Sequence, residues 1–179
     1  LRTRSSVSKS NRWYLWRIRR CSTWWIIGRR LLLIVEKLTL HRLEEFFELV
    51  TKMVAEAEFA YAIPEKHKIL QLFKNPNAVG FIAIENDKIV GFISGLAHEY
   101  FFSNRKRVSD LGFFVLPEYR GSRAALKLVK SLETWAKNMG ADDLHLGQTT
   151  AVDMDKTRQF YERLGYKTVG FNTVKHLKD

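Results

Sequence analysis

The strongest constraint on the fold is the way short apolar runs alternate with helical stripes from Leu31 onward, each ended by a turn or cap signal. Leu31–Glu36 is a continuous apolar run of strand length. Leu40–Ala57 places Leu43, Phe46, Phe47, Val50 and Val54 at spacings of three and four, the stripe of an amphipathic helix. Pro64 suits the first turn of a second helix running through Ile69, Leu70 and Phe73. Val79–Glu85 and Lys88–Phe102 then flank Asn86-Asp87, two residues that tolerate positive φ, as a tight hairpin demands. Val108–Val115 reads as a strand ended by Pro117. A long helix follows, capped by Ser122, striped by Ala125, Val129, Leu132, Ala136 and Met139, and stopped at Gly140. Asp143–Leu146 is a strand, Asp153–Leu164 a helix ending at Gly165, and Tyr166–Val174 a last strand.

That order, β α α β β β α β α β, mixes antiparallel hairpins with helical crossovers. It predicts an α/β (α+β) chain with αβα layering: a central twisted mixed sheet of about six to seven strands, with helices on both faces. Residues 31–179 make one domain, which suits a chain of 179 residues with 46% hydrophobic content. No apolar stretch is long enough for a membrane span. Cys21 stands alone and the five histidines lack metal-ligand spacing, so the expectation is a reducing, cytoplasmic setting without a metal.

The net charge of +11 is unevenly placed. Residues 1–35 hold Arg2, Arg4, Lys9, Arg12, Arg17, Arg19, Arg20, Arg29 and Arg30 and no acidic residue, whereas the remainder is close to neutral. Trp13, Trp16, Trp24 and Trp25 share this segment, which has neither helical nor strand periodicity. Residues 1–30 therefore read as a separate basic extension. It has the composition of an organelle-targeting leader, of an anchor for anionic membrane, or of a nucleic-acid arm. A poorly ordered tail is the plain alternative.

The stretch richest in chemistry is Leu111-Gly112-Phe113-Phe114-Val115-Leu116-Pro117-Glu118-Tyr119-Arg120-Gly121-Ser122-Arg123-Ala124-Ala125-Leu126. A strand ends, a loop of small residues follows, and a helix begins at once. Unpaired N–H groups thus converge at the positive end of a helix dipole, where an anion is favoured. The small residues Gly121, Ser122, Ala124 and Ala125 would admit a pyrophosphate, with Arg120 and Arg123 adding charge-assisted hydrogen bonds. A capped turn carrying solvated arginines explains the same residues.

Here the sequence resembles the GNAT superfamily of acyl-CoA-dependent N-acetyltransferases. The Val-x-Pro and Arg/Gln-x-x-Gly-x-Gly/Ala signature is matched by Val115, Pro117, Arg120 and Ala125 without a gap, and Phe160-Tyr161-Glu162-Arg163-Leu164-Gly165-Tyr166 is similar to the second signature. Arg123 stands where the family usually has Gly, a costly exchange if that position needs positive φ.

The resemblance implies acetyl-CoA as co-substrate and a primary amine of a small molecule or protein as acceptor, with direct attack in a ternary complex and no metal. A non-catalytic CoA-binding module is the alternative, and a homodimer is possible within the family. It also implies that Phe114 and Val115 contact pantetheine and thioester through their backbone, and that residues 120–125 hold the pyrophosphate. Asp153 stands near a family cofactor contact, and Tyr161 matches the tyrosine that protonates the leaving thiolate. For the general base the candidates are His98, Glu99 and Asp110, with Glu99 favoured. Period-two alternation puts Asp110 on the face opposite Val115 unless a bulge intervenes. Tyr100, Phe101 and Phe102, beside a basic loop Arg105-Lys106-Arg107, lie where an acceptor would enter.

Overall fold

The helical stripes and turn residues fold into a five-stranded sheet, seen in a computed structural model that describes residues 32–57, 62–148, 152–170 and 172–175. The basic extension, residues 1–30, lies outside them. The elements are β1 (Ile34–Lys37), α1 (Leu43–Glu56, entered through a 3-10 turn at Leu40–Arg42), α2 (Lys66–Phe73), β2 (Ala78–Glu85), β3 (Lys88–Tyr100), β4 (Ser103–Val115), α3 (Ala124–Asn138), β5 (Asp143–His145) and α4 (Met154–Arg163). The strands lie in the order β1-β2-β3-β4-β5. All neighbours are antiparallel except β4 and β5, which α3 joins as a parallel crossover.

The β2–β3 hairpin turns at Asn86 and Asp87, with φ of 53° and 62°, the double positive φ of a type I′ turn. Gly140 and Gly165 follow α3 and α4 at φ 70° and 90°, in the left-handed cap position where a side chain would strain the backbone.

Each face of the sheet buries its own core. On one, α1 and α2 press Phe46, Leu49, Ile69 and Phe73 onto Ile82, Ile84, Ile89, Phe92 and Phe114. On the other, Ala124, Leu128, Val129, Leu132 and Ala136 of α3 meet Val79, Ala83, Val90, Ile93, Ala97, Val108 and Val115. From α4, Phe160 and Tyr161 pack against this second core. Burial on both faces explains why β2 and the first half of β3 read as nearly continuous apolar runs.

Three register shifts interrupt the pairing: one at the outer end of the β3–β4 hairpin, between Glu99 and Tyr100, and two bulges further in. Ala83 pairs with Gly91 but Ile84 with Ile89, so Val90 is the extra residue in β3. Ser94 pairs with Gly112 but Gly95 with Asp110, so Leu111 is the extra residue in β4. The second bulge shifts the parity of β4 by one. Val108 and Asp110 therefore lie on the same face as Phe113 and Val115, toward α3 and α4.

Three expectations need correction. The sheet has five strands among the described residues, because residues 166–170 and 172–175 form no strand; Val169 and Val174 are largely exposed, and no described residue pairs with them. Arg105, Lys106 and Arg107 are not a loop but lie in the first part of a longer β4, where Lys106 and Arg107 pair with Glu99 and His98 across a hairpin that turns at Phe101 and Phe102. Leu128 and Ala124, rather than Ala125 and Met139, complete the fully buried stripe of α3.

Candidate functional site

The parallel pairing of β4 and β5 covers only three rungs: Arg107 with Asp143, Val108 with Leu144 and Ser109 with His145. Beyond Ser109 the β5-facing edge of β4 has no ladder partner among the described residues as far as Val115. A split therefore opens between the two strands, lined by backbone groups that need partners. At its apex the Asp110 carboxylate accepts a hydrogen bond from the Gly147 N–H at 2.8 Å, a side-chain link in place of the missing rung.

The loop leaving β4 turns through a 3-10 segment at Pro117–Tyr119 and reaches Gly121 at φ 80°. The Ser122 hydroxyl accepts from the Ala124 N–H at 3.1 Å, and Lys127 N–H bonds the Arg123 carbonyl. Among the described residues, the N–H groups of Gly121, Arg123, Ala125 and Leu126 have no acceptor. Four free donors at the positive end of a fifteen-residue helix form a cradle of the kind a diphosphate fills.

Arg123 fits this loop without strain. Its φ is −76° and ψ −2°, ordinary right-handed geometry, so the position does not demand glycine. The positive φ belongs to Gly121 instead.

Arg120 is held inward. Its Nε donates to the Val115 carbonyl at 3.1 Å, Nη2 pairs with Glu56 at 2.6 Å, and the guanidinium lies 5.7 Å from the Phe114 ring centroid. It fastens the end of β4 to the end of α1, shaping the cradle from behind. Phe114 and Val115 are buried, Phe114 toward α1 and Val115 toward α3.

Tyr161 comes from α4 onto the α3 face of the sheet, half-buried, with its ring 5.6 Å from Phe160 and 5.8 Å from Tyr166. Burial pushes its phenol well above the ordinary range, and the nearby Asp110 carboxylate raises it further. Asp110 is itself pushed up to about 6 because it is buried, an effect that the Gly147 N–H only partly offsets. The structure thus brings Tyr161 and Asp110 together beside the split.

Asp153 begins α4 in left-handed geometry, φ 48°, and its carboxylate pairs with Lys156 at 3.2 Å. Glu99 is exposed on the outer arm of the β3–β4 hairpin, opposite Lys106. It lies four residues along β3 from Gly95, the partner of Asp110, or about 13 Å at strand spacing, so it does not join Tyr161.

The opposite face of the same corner carries a polar network. Tyr100 donates its hydroxyl proton to Asp143 Oδ2 at 3.0 Å and lies 3.2 Å from His145 Nε2. The Arg107 guanidinium stacks 4.8 Å from the Tyr100 ring centroid and donates to His98 Nε2, which also meets the Ser109 hydroxyl. Parity in a three-residue strand held the signal: Leu144 packs on the α3 core, so Asp143 and His145 face the other way. Among the described residues no group of three or more His, Cys, Asp or Glu is arranged to hold a metal ion.

Comparison with known proteins converges on one family. Over 86 residues the chain is 31% identical to N-alpha-acetyltransferase 30 of Schizosaccharomyces pombe (strain 972 / ATCC 24843), a match covering 48% of this chain. The chain spans about half the length of that curated relative, 55% of it. Its fold is similar to the aminoglycoside acetyltransferase meta-AAC0020 from an uncultured soil metagenomic sample, crystallised with trehalose. There the TM-score is 0.68 at 21% identity, covering 82% of this chain and 97% of that one. It is likewise similar to AAC(6')-Iy bound to the bisubstrate analog CoA-S-monomethyl-acetylneamine, with TM-score 0.67 at 17% identity over 83% and 99% of the two chains. The sequence pattern of the acetyltransferase (GNAT) family matches residues 38–166, and the chain belongs to that family.

Proposed function

We propose that the chain is an N-acetyltransferase that moves an acetyl group from acetyl-CoA to a primary amine by direct attack in a ternary complex. The observation that carries this reading is the conjunction of the β4–β5 split with the four unpaired N–H groups opening α3. Such an arrangement takes an extended amide-bearing arm along β4 and a diphosphate at the helix start, the two recognition elements of coenzyme A. Gly121, Ser122, Arg123, Ala124 and Ala125 form the cradle, and Arg120 braces it through Val115 and Glu56.

Phe114 and Val115 contribute backbone groups along the split, where an N–H polarises the thioester carbonyl as negative charge grows on its oxygen. Tyr161 faces the departing sulfur and supplies its proton. The low polarity around it and the Asp110 charge keep the phenol protonated at neutral pH, the form an acid requires. Asp110 also holds Gly147, tying β4 to the chain just after β5 at the apex of the split. Asp153, at the start of α4, is on this reading a further cofactor contact, for which its carboxylate would have to leave Lys156.

The test is a titration of the full chain with acetyl-CoA, followed by thiol release in the presence of an amine panel. Saturable binding and turnover of at least one amine support the reading. Binding with no thiol release from any amine would instead mark a CoA-binding module. Tyr161→Phe then checks the acid: kcat is expected to fall about 10- to 100-fold with acetyl-CoA binding unchanged.

A further inference from the structure

Resting on that reading, we propose that His145, braced by Tyr100 and Asp143, is the proton acceptor for the incoming amine. Tyr161 and Asp110 occupy the α3 face of the sheet, where the sulfur must leave. An amine adding to the carbonyl approaches from the other side, and there the last rung of β4–β5 pairing presents Ser109 and His145. His145 thus stands at the apex of the split, half-buried, on the face opposite Tyr161.

Hydrogen-bond arithmetic fixes the imidazole's tautomer. A carboxylate only accepts, so the single phenol proton of Tyr100 points to Asp143 Oδ2. At the 3.2 Å contact with His145 the phenol oxygen must then accept, and Nε2 carries the hydrogen. This leaves the lone pair on Nδ1, which has no partner among the described residues. The chain His145–Tyr100–Asp143 runs from a free base to an anion, so positive charge arriving on the ring is stabilised through the phenol.

Other charges face the group. From β4, Arg107 stacks on Tyr100, and Arg105 pairs with Asp142 beside β5; from β3, His98 accepts from Arg107 and is 3.1 Å from the Ser109 hydroxyl. Arg107 opposes a proton on the ring and Asp143 favours it, which makes the Tyr100 link the deciding element. The proton account balances. The amine nitrogen forms the C–N bond and gives one proton to His145 Nδ1, the C–S bond breaks, and the thiolate takes one proton from Tyr161. Solvent then restores both side chains.

The experiment has two arms on the full chain. Long-range ¹H–¹⁵N spectra read the His145 tautomer without any acceptor. The proposal expects hydrogen on Nε2 in the wild type, and loss of that preference in Tyr100→Phe. A neutral ring protonated at Nδ1 in the wild type, or a tautomer indifferent to Tyr100→Phe, overturns it. The kinetic arm uses a tetrapeptide with a free α-amine, a capped lysine peptide and sisomicin. His145→Gln, which keeps a donor toward Tyr100, is expected to lose at least about 100-fold in kcat at pH 7 and to lose the acid limb of kcat. Its KM for acetyl-CoA should be unchanged. Tyr100→Phe should lose less than His145→Gln. Wild-type kcat and limb in His145→Gln overturn the proposal. A wild type that binds acetyl-CoA but acetylates none of the panel counts against the transferase reading, while the spectra still decide the tautomer.

Discussion

Asp110 should cost the fold stability at neutral pH, and replacing it by Asn should recover that cost. The carboxyl sits at about 6 in the folded chain against an ordinary 3.8, because burial penalises its charge. A rise of about two pH units corresponds to about 3 kcal/mol, by the relation of about 1.4 kcal/mol per unit. The sign follows from linkage. A group whose folded value is raised contributes stability below its unfolded value, and that contribution is lost as pH climbs through the folded value. Asp110→Asn keeps an oxygen to accept from Gly147 and carries no charge to lose. The variant and wild type should therefore be equally stable near pH 4 and diverge up to about pH 6. From pH 7 they should differ by up to about 3 kcal/mol, a rise in midpoint of roughly 5 to 10 °C. Paired thermal melts at pH 4, 5, 6, 7 and 8 measure it. A variant no more stable than wild type at pH 8, or an advantage that persists undiminished at pH 4, refutes the reasoning.

Other expectations concern the scaffold of the site. Gly91→Ala should destabilise by about 1–3 kcal/mol in denaturant melts, since a Cβ there meets the Phe114 carbonyl oxygen at 2.8 Å and the Val115 backbone at 3.2 Å. Arg123→Ala should leave stability within about 0.5 kcal/mol, and Arg123→Gly should lower it by roughly 1 kcal/mol, because the residue already has helical geometry. A gain in stability from Arg123→Gly would contradict that geometry. Arg120→Met should cost about 1–2 kcal/mol and weaken coenzyme A binding, since its half-exposed pair with Glu56 and its bond to the Val115 carbonyl hold the loop.

What could be read in the sequence was whatever local chemistry decides. Asn86-Asp87 forced the hairpin, Gly140 and Gly165 stopped their helices, and the apolar stripes marked α1 and α3. What escaped depended on partners distant in the chain. Leu111 looks like any strand residue, yet as a bulge it turns Asp110 toward Tyr161, which strict alternation had placed on the other face. Arg105-Lys106-Arg107 reads as a loop by charge, but an arm solvated on both sides tolerates charge in a strand. Tyr166–Val174 has strand composition, yet a strand exists only where an edge receives it, and among the described residues the three-residue β5 pairs only with β4. His145 gave no motif at all. Its position emerges only from the register of β5 against β4 and from the reach of Tyr100 across the sheet.

The most direct measurement of the central claim is an amide-resolved ¹H–¹⁵N titration of the full chain with coenzyme A. The account predicts saturable shifts concentrated at Gly121, Arg123, Ala125 and Leu126 and along Phe113–Val115. Saturation that leaves those amides unmoved, or an absence of any shift at millimolar coenzyme A, would contradict it.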